Sequence, residues 1–82
     1  MAKTFQVGIY SSEKIIYEGQ AISLIAPSEA GYLGVLADHA PLVAKLGAGK
    51  ITLRLSENQS SVFTIPAGGF LEVLNNQATL LL

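Results

Sequence analysis

Apolar and polar residues alternate with a period of two along much of this chain, and turn-forming residues interrupt the alternation every few positions. "TFQVGIY" sets Phe5, Val7 and Ile9 against Thr4, Gln6 and Gly8, and "KITLRLS" sets Ile51, Leu53 and Leu55 against Lys50, Thr52 and Arg54. Successive strand side chains point to opposite faces, so such runs place one face on a core and the other in water. A helix would need apolar residues three and four apart. Only "HAPLVAKL" (His39 to Leu46) offers even one such turn, and its glycine neighbours limit it. The chain is predicted to be all-β.

The interruptions set the scale. Turns are expected at Ser11-Ser12-Glu13, Gly19, Pro27-Ser28, Gly47-Ala48-Gly49, Ser56 to Ser60, Pro66 with Gly68-Gly69, and Asn75-Asn76. Asn tolerates positive φ, so "LNNQ" reads as a two-residue hairpin turn joining "FLEVL" to "ATLLL". About nine short strands at this spacing suit a sandwich or flattened barrel. Phe5, Phe63 and Phe70 fall at strand positions suited to its core. In a final strand ending Leu80-Leu81-Leu82, Leu81 faces away from its neighbours. That strand should be buried on both faces or covered from outside the chain.

Residues 1–82 amount to one domain, a size at which only roughly 60% of the unfolded surface is buried. Yet 50% of residues are hydrophobic and only 13% charged. Either the core is unusually rich or a partner covers part of the surface. The five Lys and Arg residues are scattered singly, so no basic stripe exists for nucleic acid. The absence of cysteine removes disulfides and thiolate metal sites and fits a reducing compartment. No apolar run resembles a signal peptide or approaches the roughly 18 residues of a membrane-spanning helix.

Motifs that suggest chemistry fail on inspection. "SSEK" matches S-x-x-K but occupies an expected turn and lacks that chemistry's other elements. "GAGK" lacks the first P-loop glycine, since Ala44 stands there, and has Ile51 where Ser or Thr is required; a hairpin turn is the better reading. His39 is the one histidine and cannot build a zinc site with Asp38 alone, nor does a nucleophile accompany it. Its structural reading has Asp38 accepting backbone bonds in a turn, His39 bonding a nearby carbonyl, and Pro41 setting the chain direction. The six acids show no glycosidase-like pairing. Gly68-Gly69 before a strand implies positive φ or a close approach of another chain segment. No catalytic residue, metal site or cofactor is expected.

Two segments carry a family resemblance. "SEAGYLGVLADHAPL" fits an acid followed by Gly-x-x-Gly, two aliphatics, a two-residue turn and His-x-Pro-Leu, through Glu29, Gly31, Gly34, Val35, Leu36, His39, Pro41 and Leu42. "AGGFLEVLNNQATLL" fits Gly-Gly-Phe-x-Glu-Val-x-x-Asn through Gly68, Gly69, Phe70, Glu72, Val73 and Asn76. In this order, over the whole chain, the sequence resembles the N-terminal β domain of the epsilon-subunit family of F-type proton-translocating ATP synthases. Departures are Tyr32, where many relatives carry an acid, and Ala37-Asp38, where bacterial relatives often have Pro-Gly. A chain ending at Leu82 would be a short form without the family's C-terminal helical hairpin, and without the inhibition of hydrolysis and nucleotide sensing linked to it.

The resemblance implies a ten-stranded flattened β-barrel or sandwich that performs no chemistry. It implies a central-stalk rotor subunit linking the gamma subunit to the polar loops of the membrane c-ring, so that proton flow through the ring reaches the catalytic head as torque. By positional match, Ser28, Glu29, Ala30, Gly31 and Tyr32 would face the c-ring, and His39, Pro41, Leu42 and Ala44 would lie near gamma. The protein would be a monomer when isolated. It would be peripheral to a membrane through the complex, on the cytoplasmic face of a bacterial plasma membrane or the inner face of an organelle. The rival is a free-standing β-sandwich module for a carbohydrate or peptide. It calls for an exposed aromatic platform or concave polar face, which a chain with no Trp and six aromatics poorly supplies.

Overall fold

A computed structural model describes residues 2–82. It contains nine strands and no helix among those residues: β1 (Phe5–Tyr10), β2 (Ile15–Ala21), β3 (Ser23–Ser28), β4 (Gly31–Leu36), β5 (Leu42–Lys45), β6 (Gly49–Ser56), β7 (Gln59–Ile65), β8 (Phe70–Leu74) and β9 (Gln77–Leu81). They form a five-stranded sheet in the order β2-β1-β9-β8-β5 and a four-stranded sheet in the order β4-β3-β6-β7. The two sheets stack as a sandwich and do not close into a barrel.

The alternation sorts the side chains as expected. Phe5, Val7 and Ile9 of β1 and Ile51 and Leu53 of β6 are buried, with Leu55 half-buried at the strand end. Leu24, Ala26, Val35, Leu46, Leu71, Val73, Ala78 and Leu80 fill the space between. Fully burying a Val, Leu or Ile stabilises by roughly 1.5–3 kcal/mol each, and no polar side chain among the described residues is buried with them. Tyr17 of β2 meets Phe63 of β7 with ring centroids 6.1 Å apart, which seals one open side of the sandwich. On the other side a lone bridge between Ser28 and Leu46 joins the two sheets.

β1 and β9 run parallel and side by side, with Gln6 opposite Gln77 and Tyr10 opposite Leu81. β9 is thus a central strand flanked by β1 and β8. Its inner residues Ala78 and Leu80 are buried, while Leu81 on the outer face is 55% exposed. The strand is therefore not buried on both faces by this chain.

The turns at Ser11–Glu13 and Asn75–Asn76 form as predicted. The Ser11 Oγ accepts from the Glu13 and Lys14 amides, and both asparagines are left-handed, with φ 51° and 61°. Several other expectations are corrected. Gly19 lies inside β2, paired with Val7, and the Tyr17 ring covers the space where its Cβ would be. Pro27 lies inside β3 rather than in a turn; the β3–β4 turn is Glu29-Ala30. Beyond Ile25, β3 no longer pairs with β6, and the Pro27 carbonyl instead accepts from the Gly47 amide at 3.0 Å. Gly47–Gly49 is not a hairpin: β5 belongs to one sheet and β6 to the other, so this glycine segment carries the chain between layers. Phe70 is 51% exposed. Leu71 and Val73 take the inward positions of β8, and period two turns Phe70, Glu72 and Leu74 outward. Phe63 is only half-buried, leaving Phe5 as the one buried phenylalanine.

Candidate functional site: the two ends of strand β4

The residues singled out from the sequence do not converge. β4 separates them, and a strand of six residues spans about 17–20 Å. Ser28 to Tyr32 sit at its start and His39 to Leu42 beyond its end. β5 then runs back, which returns Ala44 and Lys45 to the first end.

At that first end the hairpin Ser28–Gly31 is tied to β5. The Glu29 amide donates to the Lys45 carbonyl at 3.1 Å, and the Lys45 ammonium lies 3.5 Å from the Glu29 carboxylate. Both side chains are exposed, so the ion pair itself adds little. The Ser28 hydroxyl donates to the Gly31 carbonyl. Gly31 is there for its backbone: at φ 121° it adopts a conformation other residues rarely tolerate. Tyr32 is 63% exposed yet does not wave freely. Its phenol accepts from the Lys50 amide at 3.3 Å, and it sits where a Cβ on Gly49 would be, over the buried Pro27. Glu29, Ala30 and Tyr32 thus form an exposed tip on a stiff base.

At the other end Ala37-Asp38 makes the turn, with Asp38 at φ 63°. The expectation that the Asp38 carboxylate accepts backbone bonds in the turn is corrected: among the described residues it takes the Lys3 ammonium, at 2.7 Å, and no backbone amide. That hydrogen bond, reinforced by the opposite charge, raises the Lys3 pKa. The Asp38 amide donates to Asn76 Oδ1 at 2.7 Å. The half-buried His39 bonds the Ala40 carbonyl at 2.6 Å; because a carbonyl only accepts, Nδ1 carries the proton there. Pro41 is exposed, whereas Leu42 and Ala44 turn toward the sandwich interior opposite the buried Val73 and Leu71. The outward residues of β5 are Val43, 70% exposed, and Lys45.

An exposed row of side chains lies on the outer face of the five-stranded sheet and was not foreseen. Ile15, Tyr10, Leu81, Phe70 and Lys45 are successive cross-strand neighbours on β2, β1, β9, β8 and β5. Ile15, Leu81 and Phe70 are each more than half exposed. Tyr10 folds back over Gly8 and donates to the Glu18 carboxylate at 2.7 Å; that bond, with lesser contributions from burial and charge, raises its pKa. The signal was present in the phase of the alternation, but the row emerges only when the strand order is known. Among the described residues no three His, Cys, Asp or Glu side chains are grouped to hold a metal ion.

Comparison with known proteins gives a consistent result. Residues 4–82 match the family model described as "ATP synthase, Delta/Epsilon chain, beta-sandwich domain". Among curated relatives, the ATP synthase epsilon chain of Chlorobaculum tepidum is 44% identical over 79 residues, covering 96% of this chain and 89% of the relative. That of Leptospira borgpetersenii is 40% identical over 80 residues, covering 98% of this chain and 61% of the relative. The chain thus spans about 60% of the length of the Leptospira relative and 56% of that of the Dichelobacter nodosus epsilon chain, with which it is 37% identical. In fold it is similar to a chain of the Euglena gracilis mitochondrial ATP synthase structure, with TM-score 0.83 at 19% identity, covering 92% of this chain and 48% of that one. It is also similar to a chain from the central stalk and c-ring of the Tetrahymena thermophila mitochondrial ATP synthase, with TM-score 0.77 at 17% identity, covering 98% of this chain and 63% of that one. The nine-stranded sandwich, its two motif segments in order, and a match running from Thr4 to Leu82 together place this chain in the family of ATP synthase delta/epsilon-chain β-sandwich domains.

Proposed function

We propose that this chain is a non-catalytic central-stalk subunit of an F-type ATP synthase, joining the gamma subunit to the c-ring and coupling ion translocation to ATP synthesis. One observation carries the reading: the 44% identity to a relative named ATP synthase epsilon chain, over 89% of that relative's length. The physical form agrees with the duty. A close-packed sandwich deforms little and transmits strain.

In this reading the exposed tip Glu29-Ala30-Tyr32, with Ser28 and Gly31 shaping it, meets the c-ring. His39 and Pro41 meet gamma. Leu42 and Ala44 act from beneath, setting the height of β5, while Val43 presents the contact surface of that strand. With Tyr32 bonded to the Lys50 amide, the ring contact relies on an aromatic surface and backbone groups rather than on an acid–base pair. The protein is held at the membrane through the complex, on the cytoplasmic face of a bacterial plasma membrane or the equivalent face of an organelle, and is a monomer when alone.

The test is purification of the tagged chain from native membranes. Recovery at one copy per complex with gamma and the c-ring supports the reading. Recovery as a free monomer, with a small ligand as its only companion, overturns it in favour of a binding module.

A further inference from the structure

Asn76 ties together three separate pieces of chain. Its Oδ1 accepts the Asp38 amide at 2.7 Å, its Nδ2 donates to the Thr4 carbonyl at 3.2 Å, and its own carbonyl accepts the Gln6 amide at 3.1 Å. The N-terminal lead into β1, the β4–β5 link and the β8–β9 hairpin therefore meet at one side chain. We propose that Asn76 positions the His39–Leu42 segment for its protein partner, by holding the turn residue Asp38 against the β8–β9 hairpin. The partner side of this inference rests on the proposed contact between that segment and gamma.

The residue type suits the task on two counts. At φ 61° the second turn position favours Asn or Gly. Of these two, only Asn brings a side chain, and its carboxamide offers an acceptor and a donor on separate atoms, both used here. What it holds needs holding. Asp38 is itself left-handed, a conformation uncommon for a residue other than Gly. Its other tether is the Lys3 ion pair, whose side chains are 78% and 62% exposed and which is accordingly weak. Downstream the segment is stiff but has no further side-chain hydrogen bond to the rest of the fold among the described residues: His39 bonds its neighbour Ala40 and Pro41 fixes its own φ. The direction in which His39 and Pro41 project is thus set at Asp38, and Asp38 is set by Asn76.

The full chain with Asn76→Gly tests this, because Gly keeps the left-handed turn and removes both side-chain bonds. Ile65→Val, which trims the buried core beside Gly49 at the opposite end, serves as a control of general destabilisation. Three quantities are read: hydrogen exchange of the Asp38 amide, the ring nitrogen shifts of His39, and affinity for the gamma subunit recovered from the native complex. In Asn76→Gly the Asp38 amide exchanges about tenfold faster, the equivalent of one net hydrogen bond. The His39 ring signals move toward tautomer averaging, and gamma affinity falls roughly five- to tenfold. In Ile65→Val none of the three changes beyond the common shift in global stability. Equal Asp38 exchange in the two variants, or unaltered His39 signals in Asn76→Gly, overturns the proposal. If the wild-type chain does not bind gamma at all, the functional reading fails by itself, and the exchange and ring signals still decide whether Asn76 holds the turn.

Discussion

The two ends of β4 are built from different bonds. At the Ser28–Tyr32 end most of the holding is by backbone, with Glu29 bonded to Lys45, Gly47 to Pro27, Leu46 to Gly69 and Gly68 to Leu46 at 2.7–3.1 Å, and the Ser28 and Tyr32 hydroxyls adding one bond each. At the Asp38 end side chains do it, through Lys3 and Asn76. Backbone ties survive most substitutions because every residue except proline carries the same N–H and C=O. Side-chain ties depend on residue type. The first end should therefore break only through the core or the glycines beneath it, and the second should be adjustable one residue at a time.

The strongest test of that contrast is Leu46→Ala. Leu46 is fully buried, and its amide and carbonyl both bond to the Gly68-Gly69 loop. The cavity should cost about 2–5 kcal/mol, a large share of the roughly 5–15 kcal/mol of a typical domain. Urea denaturation followed by tyrosine fluorescence and circular dichroism should show one transition at a much lower midpoint. Two separated transitions would mean that the ends are not mechanically joined through Leu46.

A smaller effect is expected at Gly69. A Cβ there would run into the Leu81 carbonyl and approach the Leu82 Cα at 3.1 Å. Both are backbone atoms that cannot swing aside. Gly69→Ala should cost about 1–3 kcal/mol, as overpacking does, read as a fall in urea midpoint with unchanged slope. Gly34→Ala should be nearly silent by the same measure, because its Cβ would meet only the Leu24 carbonyl at 4.0 Å.

Next come exposed Tyr32 at one end and half-buried His39 at the other, whose loss should be felt by partners rather than by the fold. Tyr32→Ala is expected to weaken c-ring binding and His39→Ala gamma binding, each by roughly tenfold or about 1.4 kcal/mol, with the melting transition retained. Pull-down against the isolated ring and the isolated gamma subunit separates the two. Equal loss toward both partners would remove the division of labour between the ends, and a lost melting transition in His39→Ala would make it a structural residue.

Much of this architecture could be read from the residues, and the failures share a cause. β1, β6 and the β8–β9 hairpin were legible because alternation and Asn-Asn act locally. Gly47–Gly49 was misread as a hairpin because the choice between a turn within a sheet and a crossing between sheets depends on which distant strand is paired. Phe70 was assigned inward because a short strand entered from two glycines has no local marker of phase; only Leu71 and Val73 settle it. Pro27 looked like a turn because its missing N–H forbids a continuous ladder, and β3 accommodates it where pairing passes from β6 to Gly47. The candidate residues adjoin in sequence but not in space, because the six residues of β4, Gly31 to Leu36, carry the chain the length of the sandwich. The role of Asn76 was invisible for the opposite reason: its partners Thr4 and Asp38 are remote in sequence.

The smallest expected effect is alkaline and distinguishes the ends by charge. Lys3, bonded to Asp38, and Tyr10, bonded to Glu18, both have pKa values raised in the folded protein. A group whose pKa is raised on folding stabilises the fold while it keeps its proton, and that contribution is lost as pH climbs through the folded value. Stability should thus be flat from neutrality to about pH 9, below the ordinary tyrosine and lysine values of about 10 and 10.4, and should decline slightly above it. Lys3→Met, Tyr10→Phe and the double variant apportion the decline in urea midpoint between pH 9 and pH 11. Lys3→Met should remove the part belonging to the Asp38 end, because the neutral side chain can neither donate to the carboxylate nor titrate. Tyr10→Phe should remove the part belonging to the sheet face, and the double variant should lose both parts. A decline that persisted undiminished in the double variant would place the alkaline sensitivity elsewhere and mark the Lys3–Asp38 pair as energetically silent. Asn76 would then be the sole effective tether of that end.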